Sequence, residues 1–122
     1  MIYELSQRFF FEAAHTLDRE IDTLSSKRIH GHTYHAEVSV RGPRNPVTGM
    51  VVDLGLLRRQ IDRVRSVLDH AFLDQVEGLG EPTLENLSEF IAHQFVDFEP
   101  PISGVRVWRD ASGDTCRLTL SS

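Results

Sequence analysis

Apolar residues fall on alternate positions along residues 2–13, where Leu5, Phe9, Phe11 and Ala13 share one parity. That period of two predicts a strand. The run Phe9-Phe10-Phe11 interrupts the alternation, so both faces are expected to be covered there. His15 follows in phase with Phe9, Phe11 and Ala13. Residues 16–29 have no period and carry Asp18, Arg19, Glu20, Asp22, Lys27 and Arg28, which reads as a loop. Alternation returns over 30–41: Tyr34, Ala36, Val38 and Val40 against Thr33, His35, Glu37 and Ser39. The same parity puts His30 and His32 on the Tyr34 side and His35 on the other.

After the turn residues Gly42-Pro43-Arg44-Asn45-Pro46 and Thr48-Gly49 the period changes. Asp53 is placed to cap a helix in which Leu54, Leu57, Ile61, Val64, Val67 and Leu68 share a stripe. Its other side carries Arg58, Arg59, Asp62, Arg63 and Arg65, the pattern of a solvated face. Residues 69–81 are irregular and hold Asp69-His70. Thr83, just after Pro82, caps a second helix with Leu84, Leu87, Phe90, Ile91 and Phe95 as its stripe, and Pro100-Pro101 is expected to end that segment. Val105, Val107 and Trp108 predict a third strand, and Cys116, Leu118 and Leu120 a fourth after the turn at 111–114. The order ββααββ predicts one α+β domain over residues 1–122. In it a four-stranded antiparallel sheet has two helices inserted between strands 2 and 3. Such a sheet has two open edges, and association of chains into a closed barrel would satisfy them.

A net charge of −5 removes the basic field that nucleic acid or an anionic lipid surface would need. No apolar run is long enough to span a bilayer, and no charged-then-apolar leader pattern opens the sequence. A lone cysteine, Cys116, allows no intrachain disulfide, so the cytoplasm is the expected compartment. The parity of Cys116 with Leu118 and Leu120 reads as a small core residue.

The chemistry concentrates in histidine. His30 and His32 project from one strand face, and His15 ends the neighbouring strand. Two imidazoles on one face and a third beside them form the ligand set of an open zinc site, with a fourth position left for water or substrate. Asp69-His70 suits general acid–base work near neutral pH, given an irregular backbone that lets the two cooperate. Glu85 sits in the first turn of the second helix, where the helix dipole favours it whether or not it serves a site. His35 and His93 read as surface residues.

The segments FEAAH (residues 11–15), HGHTY (30–34), VVDL (51–54), LDHAFLD (68–74) and PTLENL (82–87) resemble, in order and spacing, the 6-pyruvoyltetrahydropterin synthase / 6-carboxytetrahydropterin synthase family. The resemblance implies the tunnelling fold (T-fold), with subunits that trimerise into a barrel and trimers that pair into a homohexamer. It implies a zinc-dependent lyase acting on dihydroneopterin triphosphate. The product is a pyruvoyl- or a 6-carboxytetrahydropterin, the latter a step toward queuosine. By the same resemblance His15, His30 and His32 are the zinc ligands, and Asp69 and His70 the proton-transfer pair. Two positions depart from the pattern. Ser26 stands where the family has its catalytic cysteine, and Arg109 where it has its pterin-anchoring glutamate. A serine is a poor base unless another group activates it, so Glu20 or Asp22 in the same loop is a candidate substitute. Arg109 offers only donors, and Asp110 could take over the anchoring role through a bulge. These departures keep two other readings open: a paralogue acting on another small molecule through the same zinc, or a non-catalytic metal-binding homologue.

Overall fold

The computed structural model describes residues 1–16 and 29–120. Ser26, Glu20 and Asp22 therefore lie outside the described residues. Two long strands, β1 (Tyr3–His15) and β2 (His30–Gly42), form the antiparallel centre of the sheet. Their register sets Phe11 opposite Tyr34, Ala13 opposite His32 and His15 opposite His30. On the face shared by these residues Phe11, Ala13, Tyr34, Ala36, Val38 and Val40 are buried.

Two helices cover that face. In α1 (Leu54–Leu68) the Asp53 carboxylate accepts from the backbone N–H of Gly55 at 2.8 Å and of Leu56 at 3.4 Å, closing the helix start as the sequence predicts. Leu57, Ile61, Val64 and Leu68 are buried. Val67 is 48% exposed, because six residues beyond Ile61 it lies roughly 240° round the axis, off the stripe. In α2 (Leu84–His93) Thr83 Oγ1 accepts from Asn86 N–H at 3.0 Å. Ser88 shares the buried face with Leu87, Phe90 and Ile91, and its hydroxyl donates to the Leu84 carbonyl at 2.8 Å. The helix ends at His93, ahead of Pro100-Pro101, and turns carry Phe95 and Ile102 into the core.

The sheet has five strands where the sequence predicts four. The additional one, β3 (Ala71–Phe72), pairs parallel with Ala13 and Ala14 of β1, so the sheet is mixed. A two-residue strand carries no period to read, and what places it is backbone contact. The Glu12 carbonyl accepts from His70 N–H at 2.5 Å, and the Asp69 carboxylate accepts from Glu12 N–H at 2.9 Å. A short 3₁₀ turn (Leu73–Gln75) follows. β4 (Gly104–Arg109) lies beside β2, and β5 (Asp114–Thr119) ends the sheet, giving the order β3-β1-β2-β4-β5.

The other sheet face holds polar and aromatic side chains. Phe10 is 49% exposed, with the Arg65 guanidinium 5.4 Å from its ring, so a side chain rather than an element half-covers it. His35 is not a free surface residue: it stacks on Trp108 at 5.5 Å and pairs with Asp110 at 3.2 Å. His93 is exposed, as expected. Cys116 is half-buried rather than core, since β5 is an edge strand whose other residues are exposed or half-exposed. No helix among the described residues is long and apolar enough to cross a membrane.

Candidate metal centre

The β1–β2 register gathers the three histidines. His15 faces His30 directly, and His32 comes from the neighbouring pair. Ring centroids lie 4.5 Å (His15–His30), 4.9 Å (His15–His32) and 4.9 Å (His30–His32) apart. One ring nitrogen from each falls within 4.8 Å of the others, which places the three to hold a metal ion. Gly31 between the pair is not needed for space: a Cβ there would meet only the Ala13 carbonyl, at an ordinary 3.6 Å.

His15 is 1% exposed. Its Nδ1 lies 3.3 Å from the Thr16 carbonyl, which can only accept, so Nδ1 carries the proton. Nε2 is then the lone-pair nitrogen, buried and without a hydrogen-bond partner among the described residues. Burial holds the imidazole below its ordinary pKa range. His30 and Arg109 push the same way, against the Thr16 bond and Asp74. A neutral, pre-oriented imidazole with an unused lone pair is what a metal ion requires. Thr16 is fixed in turn by Asp74, whose carboxylate accepts from its N–H at 2.9 Å and from its hydroxyl. Asp74 lies within the LDHAFLD segment, which is the signal that could have marked it. Tyr34 packs beneath the rings, 5.7 Å from His32 and 6.3 Å from His15.

Arg109 ends β4 at 9% exposure. Its Nη2 donates to Asp114 Oδ2 at 2.6 Å, and its Nη1 lies 3.3 Å from His32 Nε2. Ser112 Oγ donates to the same Asp114 oxygen at 2.9 Å. Asp110 does not replace it: the β4–β5 pairing runs unbulged to Arg109↔Asp114, and Asp110 pairs with His35. His15, Tyr34, Thr83, Glu85, Arg109 and Asp114 line a cavity of about 290 Å³, with Glu85 contributed by the exposed start of α2.

Asp69 and His70 face elsewhere. His70 has φ 60°, a left-handed backbone that turns its ring back on its neighbour, so Nδ1 lies 2.9 Å from Asp69 Oδ2. The Glu12 N–H bond holds the Asp69 carboxyl below the usual carboxylate range, with the His70 bond and Arg65 adding to it against desolvation. The His70 side chain is 80% exposed and opens on an adjacent groove of about 370 Å³ that includes Gly31, His32 and Thr33. The triad, Glu85 and Arg109 thus share one region, and His70, held by Asp69, lines the next groove, which His32 also lines.

A mixed sheet in an α+β fold, with three histidines converging at the end of its central strand pair, makes a candidate metal centre. The chain belongs to the 6-pyruvoyl tetrahydropterin synthase family, which it matches over residues 4–119. It is 36% identical over 90 residues to the 6-carboxy-5,6,7,8-tetrahydropterin synthase of Synechocystis sp., covering 70% of this chain and 68% of that protein. It is 33% identical over 87 residues to the dihydroneopterin monophosphate aldolase of Pyrococcus furiosus, covering 71% and 69%. The Caenorhabditis elegans 6-pyruvoyl tetrahydropterin synthase structure superposes with a TM-score of 0.84 at 25% identity, covering 99% of this chain and 97% of that one. These relatives include tetrahydropterin synthases, which are lyases, and the fold is consistent with the T-fold.

Proposed function

We propose that this chain is a zinc-dependent, pterin-processing lyase of the 6-pyruvoyl- or 6-carboxytetrahydropterin synthase type, acting on dihydroneopterin triphosphate or a related compound. The observation that carries the reading is the histidine triad, with a buried His15 Nε2 that has no hydrogen-bond partner among the described residues. His15, His30 and His32 would hold the ion. Zinc, when bound, supplies a Lewis acid that polarises an oxygen of the ligand. Thr16 and Asp74 keep the His15 proton on Nδ1, so Nε2 faces the centre. Asp69 fixes the His70 ring from one side, leaving its Nε2 open to the groove to accept or deliver a proton. Ser26, Glu20 and Asp22 are the residues that bear on the remaining base.

We take the working form to be a cytoplasmic homo-oligomer, a hexamer built of two trimers. Zinc-loaded protein incubated with dihydroneopterin triphosphate should release triphosphate and a new pterin. Turnover no higher than that of chelator-treated protein would overturn the reading. A second reading, a paralogue acting on another small molecule at the same centre, is favoured by the cationic donor at Arg109. Zinc binding with no turnover of any substrate would leave the non-catalytic homologue.

A further inference from the structure

We propose that Arg109 is the specificity-determining residue of the cavity beside the histidines, and that it selects ligands presenting a planar oxygen-acceptor edge, a carboxylate or ring carbonyl. The inference rests on reading this cavity as the ligand pocket, and it narrows the class of ligand. A guanidinium carries more N–H donors than the acceptors Arg109 meets among the described residues, Asp114 Oδ2 and His32 Nε2. Its Nε–H is buried with no partner among the described residues. A buried donor left unmade is costly, and a ligand oxygen against this wall removes that cost.

Position and charge agree. Arg109 is nine-tenths buried at the end of β4. Asp114 pins one amino group from the next strand and fixes the plane of the guanidinium. The Nη1 contact is not exclusive: the single lone pair on His32 Nε2 can serve the guanidinium or an ion, and when it serves an ion another donor is released. An amidine-like edge made of N–H groups would meet N–H groups on Arg109, a repulsive contact. Glu85 and Asp114 also line the cavity, but Glu85 is exposed and Asp114 is already engaged by Arg109 and Ser112. Glu85 can therefore accept from donors elsewhere on the same ligand without altering the preference at Arg109. A volume of about 290 Å³ suits one or two fused rings rather than a polymer.

The test uses flat probes that differ only at the edge: benzoate, benzamide and benzamidine. Each is titrated into zinc-loaded protein by ligand-observed NMR. Benzoate should bind most tightly and benzamidine least. Arg109→Gln should weaken benzoate about tenfold, the scale of one charge-assisted hydrogen bond, with zinc stoichiometry unchanged. Benzamidine binding as tightly as benzoate would overturn the proposal. So would benzoate binding unaffected by Arg109→Gln, since the metal alone would then be holding it. Should Arg109→Gln fail to fold, Asp114→Ala at the exposed start of β5 takes its place. It frees a donor and unmasks the charge, so benzoate should tighten, and unchanged or weaker binding would count against Arg109. Elemental analysis of the same samples reads the metal centre separately. Absent zinc with the benzoate preference intact would sink the metal reading and leave this one standing.

Discussion

At the scale of single residues, the histidines depend on support that begins one bond away. His15 presents Nε2 because Thr16 takes the proton of Nδ1, and Thr16 is held at N–H and hydroxyl by Asp74. Removing such a partner typically costs about 10- to 100-fold in metal affinity while leaving the ligands in place. Asp74→Ala should therefore weaken zinc binding by that order, measured by competition with a chromophoric chelator. A variant that holds zinc as tightly as the parent would show that Asp74 only anchors its loop. That His30 and His32 share a face was legible because a strand's period of two is written in consecutive residues. Asp74 and Arg109 were not legible in these roles. Asp74 acts on a residue far away in sequence, and Arg109 meets His32 only through the β2–β4–β5 alignment. The expected help from Asp110 failed for a related reason: the turn after β4 sends its carboxylate to His35, on the opposite face.

At the scale of elements, the periodic segments were read correctly and the two-residue β3 was not. β1, β2 and both helices announce themselves through repetition, whereas β3 exists because Asp69 and His70 clasp the backbone of Glu12. That clasp has a pH signature. The folded Asp69 carboxyl titrates below the usual carboxylate range, chiefly through the Glu12 N–H bond. A depressed folded-state pKa means the stabilisation is fully present above the unfolded-state value. It is lost as pH falls through the folded-state one. Asp69→Ala should unfold at lower temperature than the parent at neutral pH, and the gap should narrow as both are taken into acid below the carboxylate range. A gap that stays constant to that pH would show that the ionised form contributes nothing. β5 teaches the same lesson from packing. Cys116, Leu118 and Leu120 alternate as a strand should, but alternation reports pairing, and an edge strand leaves them only half-buried.

At the scale of the whole molecule, the metal centre and the sheet edges make separate demands. All three histidines come from adjacent strands of one chain, so the centre requires no second copy to assemble. The edges do. Among the described residues β5 has a neighbour on one side only, and β3 covers just Ala13 and Ala14 of the thirteen-residue β1. The sheet face away from the helices also leaves Phe10 half-exposed and stacks Arg106 on Trp108 at 4.1 Å, an unusual amount of aromatic surface for a solvated face. Pairing β5 of one chain with β1 of the next would satisfy the backbone groups and shelter that face at once. The protein should therefore sediment as a closed oligomer, a trimer or a pair of trimers, at micromolar concentration. Because the triad is intrachain, chelation should strip the metal without dissociating the assembly. A monomer in sedimentation equilibrium would refute the edge argument outright. An oligomer that falls apart on chelation would place the metal at the interface, and the intrachain account of the centre would have to be abandoned.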